Sequence, residues 1–380
     1  MLGVIILSFP KAHAEEPVKF PESASFPSLI TSLRETTAVE FCGENAPLEV
    51  QEIRERLEKE LLLSLWHRSQ VILYLKRSRR YLPYIEEMLR NNGMPDDLKY
   101  VAIAESALLP HVRSRKGAVG FWQFMKYTGQ RYDLTINGRI DERRNVFAST
   151  QAAIKYFKDL QDTFGSWTLA AAAYNMGEEG LMAEILEQGN NDYYQLYLPL
   201  ETQRYIFRII AIKIIFNDPG KYGFQLAEED YYPPLKFEQV SIRCLKETPI
   251  RLIAQAAKTN FKAIKDLNPE IRGHYLSKGN HLILIPSEGS EDFQSRYQDL
   301  LAHWSSDHRE RTYVIKEGDN LTAIAERFGV PLPSLLIWNR LNPRTPIHPG
   351  DRLIIYPKKP AVIEIDDNDN GTNGGSLKNN

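Results

Sequence analysis

A carboxylate stands in a row of apolar side chains. Between Asp96 and Leu109, the residues Leu98, Val101, Ala102, Glu105, Leu108 and Leu109 fall at i, i+3, i+4, i+7, i+10 and i+11, one face of a helix. Pro95, Asp96 and Asp97 suit the start of that helix, and Pro110 its end. A carboxyl on a core-facing stripe is disfavoured in its charged form, so the pKa of Glu105 should rise. A Glu that holds its proton near neutral pH can protonate a glycosidic oxygen. The helix alone fits a structural Glu, paired with a core Arg or capping a loop, better than an acid poised for chemistry.

Three further segments carry side chains of interest. Gly117-Ala118-Val119-Gly120-Phe121-Trp122-Gln123-Phe124-Met125 joins two glycines, which permit a tight loop, to aromatics, an amide and a thioether. That set suits a sugar cleft, since flat rings stack on pyranose faces and amides bond hydroxyl or N-acetyl groups. It also suits an aromatic mini-core. Ala170 to Gly177 reads AAAAYNMG, a close-packing helix whose end presents Tyr174 and Asn175. Leu200 to Tyr205 places Glu201 and Tyr205 at i and i+4. In isolation the last two read as a helix cap and a solvated helix start.

The elements that would hold these side chains follow from the pattern along 380 residues, a length for two or three domains. Hydrophobic residues make up 43% and charged residues 25%, with a net charge of −2, which gives no whole-chain attraction to nucleic acid and fits a neutral polymer such as a glycan. The apolar run Leu2–Leu7 followed by Ala12-His13-Ala14 has the form of a cleaved signal segment, 1–14, so export is expected. Residues 15–47 read as a Pro/Ser/Glu/Thr-rich linker. From 48 to 235 helical signals dominate, giving a mainly α domain. Cys42 and Cys244 are the two cysteines, and their pairing stays open. No Cys/His cluster has metal-ligand spacing, so neither a metal nor another cofactor is expected.

After Pro233-Pro234 the chain repeats itself. Ile250, Ile253, Ala254, Ile264, Asn268, Leu282 and Ile283 fall on Leu321, Ile324, Ala325, Leu335, Asn339, Leu353 and Ile354 at a constant offset of 71, with no gap needed. Each unit reads as strand, two short helices and strand, giving small α+β modules at 238–287 and 311–358. A polar connector spans 288–310. The tail 359–380, rich in Asp, Asn and Gly, should be disordered.

Taken together, in this order and spacing, the segments resemble the lytic murein transglycosylases with a goose-type-lysozyme-like SLT domain. Glu105-Ser106, Gly117 to Met125, Ala172 to Gly177 and Glu201 to Tyr205 match the family's four motifs, and Arg139 to Arg143 and Ala152 to Phe157 its connecting segment. The match covers roughly residues 65–225. The repeats resemble LysM modules: the second keeps Tyr313, Gly318-Asp319 and Pro349-Gly350, while the first carries Glu247-Thr248 where the second has Gly318-Asp319. The whole resembles the membrane-bound D type, usually lipid-anchored. Neither cysteine directly follows the apolar run, so membrane or outer-membrane association stays open, and a periplasmic or cell-envelope location is expected.

The resemblance implies peptidoglycan as substrate, Glu105 as the acid and then the base, and a 1,6-anhydroMurNAc product. Tyr174 would orient Glu105; Ser106, Gln123 and Asn175 would bond substrate; Met125 and Tyr205 would line the cleft. The LysM modules would bind N-acetyl sugars. Most glycosidases use two carboxylates, whereas these motifs supply one. A lysozyme-type hydrolase would need a second, and Asp133, Asp141 and Glu178 are the nearby candidates. A non-catalytic peptidoglycan-binding protein is the other alternative.

Overall fold

Side chains that cap helix ends set the frame of the first domain. Asn145 accepts hydrogen bonds from the amides of Phe147 and Ala148 and so starts a helix that Gly165, at φ +72°, ends. Ser166 then accepts from Leu169 N to start the next helix, whose Ala170–Ala173 are fully buried. The absence of large side chains lets that helix run through the middle of the domain.

The computed structural model describes residues 27–34, 38–307 and 312–356. The expected signal segment 1–14 and tail 359–380 lie outside the described residues. In chain order, α1 is Leu29–Arg34, and β1 (Glu40–Phe41) pairs with β2 (Glu44–Asn45) in a hairpin. Helices α2 (Gln51–Trp66), α3 (Arg68–Asn91), α4 (Lys99–Ser106), α5 (Lys126–Arg131), α6 (Val146–Phe164), α7 (Trp167–Met176), α8 (Glu178–Gln188) and α9 (Leu200–Asn217) follow. Helix α9 packs on α2, α4 and α7, and its Ile206, Ile209 and Ile210 are fully buried. This is the mainly α domain expected from the helical signals.

The expected linker 15–47 needs correction over its described C-terminal part. Phe41 is fully buried, and the Glu44 carboxylate accepts from Trp167 N (2.5 Å), Thr168 N (2.9 Å) and Ser166 Oγ (2.9 Å). The hairpin therefore supplies the negative group that the N-terminus of α7 favours. No disulfide joins Cys42 to Cys244.

The first repeat comprises β3 (Phe237–Cys244), β4 (Thr248–Pro249), α10 (Ile250–Ala256), α11 (Phe261–Leu267), β5 (Tyr275–Leu276) and β6 (Gly279–Pro286), with β3 antiparallel to β6. Next come α12 (Phe293–Asp307) and the second repeat, β7 (Thr312–Val314), α13 (Leu321–Arg327), α14 (Leu332–Asn339) and β8 (Arg352–Ile354). The connector 288–310 is largely one helix, anchored by buried Phe293 and Tyr297. The chain divides into two compact units, one holding the α domain and most of the first repeat up to Ser290, the other Gln255–Lys258 and the residues from Glu291 onward.

The two repeats share an internal anchor. Asn268 bonds Ile264 O and pairs with the Leu284 backbone through both amide atoms; Asn339 does the same with Leu335 O and Ile354. Superposing the anchors puts Leu284 on Ile354 and Ile283 on Leu353, so the ungapped alignment fails in the last strand. Leu282, aligned by sequence with buried Leu353, is 64% exposed. The loop after Asn268 is one residue longer than the loop after Asn339.

Candidate active site

Glu105 comes from the last turn of α4. The helix stops at Ser106, three residues before the periodicity suggests, because Ala107 and Leu108 take left-handed conformations at φ +56° and +57°. Leu108 stays buried, whereas Leu109 is 36% exposed and leaves the stripe. Ser106 ties this break to the neighbouring loop: its hydroxyl, on a residue 4% exposed, bonds Ala102 O (3.1 Å) and Phe121 O (2.8 Å).

The Glu105 side chain is half-buried, and its Oε1 accepts a hydrogen bond from the hydroxyl of Tyr205 on α9. Burial pushes its pKa from 4.5 up to about 7; the Tyr205 hydrogen bond and the Arg208 charge pull it down, and the Glu201 charge pushes it up. At neutral pH a substantial fraction of Glu105 therefore carries a proton. Burial and the Glu105 charge raise Tyr205 and Tyr174 well above the usual phenol range, so both stay protonated.

The structure redistributes roles among the expected residues. Tyr205 rather than Tyr174 is the hydrogen-bond partner of the acid. Tyr174 donates to Trp122 O (2.6 Å) and stacks flat on Phe157, with ring centroids 4.6 Å apart. Tyr205, 1% exposed, touches Glu105 from beneath the surface instead of lining an open wall. Ser106 is likewise buried, with its donor spent on backbone carbonyls. Gln123 sits at φ +50° with Nε2 bonded to Gly120 O (2.9 Å) and Val112 O (3.2 Å), which ties its own loop together. Asn175 is half-buried and accepts from Thr202 Oγ1 (3.0 Å), and Met125 is 45% exposed.

The aromatics of this loop form a mini-core. Phe121, Trp122 and Phe124 are buried, and Trp122 Nε1 donates to Thr150 Oγ1 (2.9 Å). Gly120, at φ +85°, packs so close that any Cβ would overlap the Arg143 carbonyl. Arg143 holds the same loop from the other side, donating to Gly117 O (3.2 Å) and Phe124 O (3.1 Å).

None of the three candidate second carboxylates is unpaired. Asp133 pairs with Lys155 (2.7 Å). Glu178 is gripped by both Arg131 nitrogens at 2.7 Å, which holds its pKa below the usual value. Asp141, 3% exposed, is held bidentately by Arg143 (2.8 and 2.9 Å); burial alone would raise its pKa, but the arginines outweigh it and the net shift is down. A groove of about 670 Å³ between α5, α6 and α8, lined by Arg131, Glu178, Met182 and Leu186, does not include Glu105.

Arg208 and Glu60 fall outside the motifs legible in the sequence, whereas Glu201 opens the Glu201–Tyr205 segment. Arg208 bonds Glu201 (3.3 Å), and Glu60, a buried acid of α2, takes Arg204 Nε (2.5 Å) with Arg208 Nε at 3.9 Å. The spacing of Arg204 and Arg208 at i and i+4 is the one signal that could have marked them.

Residues 83–197 match the family model of the transglycosylase SLT domain, and residues 313–355 that of the LysM domain. Over 331 residues the chain is 28% identical to the membrane-bound lytic murein transglycosylase D of Escherichia coli, covering 83% of this chain and 72% of that protein. Over 115 residues it is 35% identical to the peptidoglycan transglycosylase of Escherichia phage T7, covering 26% of this chain and 9% of the phage protein. The crystal structure of the 70 kDa soluble lytic transglycosylase of Escherichia coli aligns with 47% of this chain and 32% of its own, at 16% identity and a TM-score of 0.34.

Proposed function

From the premise that this chain carries a transglycosylase SLT domain and a C-terminal LysM domain, we propose that it is a peptidoglycan lytic transglycosylase with Glu105 as its sole proton carrier. The observation that carries this reading is a half-buried glutamate with a pKa of about 7 and one phenol donor. The three acids that could position a water are meanwhile tied to Lys155, Arg143 and Arg131.

Glu105, protonated, gives its proton to the oxygen bridging MurNAc C1 and GlcNAc C4. The C1–O bond breaks with its electron pair leaving on oxygen, and positive charge spreads over C1 and the ring oxygen. Glu105, now a carboxylate held by the Tyr205 hydroxyl, takes the proton from the MurNAc 6-hydroxyl. That oxygen bonds to C1 and closes the 1,6-anhydro ring, and the glutamic acid is regenerated. The substrate supplies its own nucleophile, so one acid suffices where a hydrolase needs two. Gln123, Asn175, Ser106 and Met125 belong in this reading to the walls and loop ties that shape the sugar site, and Tyr174 to the packing beneath it.

The C-terminal module would hold the enzyme on N-acetylated glycan. Together with a relative named as membrane-bound, a peptidoglycan substrate points to the cell envelope as the place of work. Among the described residues no helix is long and apolar enough to cross a membrane. Digestion of purified sacculi followed by mass spectrometry tests the proposal. New MurNAc ends one water lighter than reducing ends are expected; reducing ends would make the protein a hydrolase, and no products a binder.

A further inference from the structure

The two repeats use equivalent loops for different ends. In the second repeat, the loop leading from β7 into α13 is closed on itself: Asp319 accepts from Tyr313 Oη (2.6 Å) and Lys316 N (2.8 Å), and Gly318 is exposed. The loop after Asn339 leaves Asn342, Pro343 and Arg344 exposed. In the first repeat both corresponding loops face the α domain. Glu247, which replaces Gly318, forms an ion pair with Arg139. The longer loop after Asn268 buries Glu270 and Ile271. Ile271 forms an antiparallel bridge with Ile140; Asp141 N donates to Glu270 O (2.9 Å), and Arg272 N to Arg139 O (2.8 Å). A second contact lies at the start of β3, where Phe237 packs on Tyr84 and Phe147 with centroids 5.6 and 5.7 Å away, and Tyr84 Oη donates to Leu235 O (3.0 Å).

The strip that receives this loop is also the strip that holds the catalytic-domain loop 117–125. Asp141 donates its backbone N–H to the repeat and gives its carboxylate to Arg143, whose remaining nitrogen reaches Gly117 O and Phe124 O. Asn145, two residues on, caps α6 and hydrogen-bonds the Glu270 side chain. We propose that the first repeat is a docked brace rather than a second free sugar-binding module. Asp141 acts as the positioning residue that links its Glu270–Arg272 loop to the loop carrying Gln123 and Met125.

Docking consumes, in the first repeat, the two loops whose counterparts in the second repeat keep Gly318 and Asn342–Arg344 exposed. Backbone hydrogen bonds and a buried Ile fix the repeat more firmly than one surface ion pair could. The brace deepens the proposed function, since it shapes the same site, but its test does not depend on the reaction.

Hydrogen–deuterium exchange on the full chain reads the brace directly. In Ile271→Asp, amides of 117–125 and 137–145 are expected to exchange about tenfold faster than in the wild type, while those of α7 keep their protection. Release of 137–145 with 117–125 unchanged would overturn the proposal. Because Ile271→Asp could unfold the repeat itself, charge reversal supplies a second measurement. Arg139→Glu and Glu247→Arg should each speed exchange at 117–125 by about two- to fivefold, and the double variant should restore it. Additive loss in the double variant would overturn the docking. Glycan turnover by the same variants should recover in parallel in the double reversal, a rescue that a role in overall folding alone would not give.

Discussion

Glu105 and Glu270 are two carboxyls that burial raises from 4.5 to about 7, in two regions of one compact unit. Glu105 is half-buried, takes a hydrogen bond from Tyr205 and feels the opposing charges of Arg208 and Glu201. Glu270 is 7% exposed, bonds Asn145, leaves Oε2 without a partner, and its backbone oxygen fastens the first repeat to Asp141. The same shift thus marks a half-buried acid that takes a hydrogen bond from Tyr205 and an acid buried where the first repeat meets the α domain. A raised pKa becomes evidence of chemistry only with access and a partner that orients the proton.

The two acids should part most widely in turnover. Glu105→Gln should lose about a hundredfold or more in glycan cleavage with its fold intact, whereas Glu270→Gln should stay within about twofold of wild type. A comparable collapse in both variants would mean that the joint, and not the acid, limits the rate. Tyr205→Phe sharpens the Glu105 side. The lost hydrogen bond favoured the charged form, so Glu105 should hold its proton to higher pH, and the alkaline limb of the rate profile should move up with about a tenfold drop in rate. An unmoved limb would separate Tyr205 from the acid.

Stability gives a smaller effect, with its sign fixed by linkage. Each folded-state pKa lies above the unfolded value, so the folded chain binds more protons between pH 4.5 and about 7. Stability is therefore lost as pH rises through that window. Glu270→Gln removes the loss: it should leave the melting temperature unchanged near pH 4 and raise it at pH 8, where the stability gained is on the order of 1–3 kcal/mol. Equal melting shifts at both pH values would show that deprotonation of Glu270 carries no cost.

How much of this was legible in the sequence depended on the range of the interaction. Glu105 stood out locally as a polar residue on an apolar stripe, but only the motifs around it separated it from a structural glutamate; the repeats announced themselves through aligned Asn268 and Asn339. The early end of α4 did not, because it is fixed by Ser106 bonding Phe121 O, fifteen residues away. Which tyrosine reaches the acid was equally hidden, since Tyr174 and Tyr205 lie on different helices and only packing decides between them. The hairpin in the expected linker looked polar and aperiodic, yet Glu44 earns its place by capping α7 across 124 positions to Thr168. The extra residue after Asn268 falls in a loop with no side-chain signature, and its consequence appears only where it meets Ile140.

In the proposed reaction Glu105 serves both halves, and no water enters the bond being made. Digesting sacculi in heavy-oxygen water tests this most directly, with mass spectra taken on the newly formed MurNAc ends. The account predicts anhydro ends free of the heavy isotope, absent altogether in Glu105→Gln. Heavy oxygen on C1 of ends formed by the wild-type enzyme would contradict it.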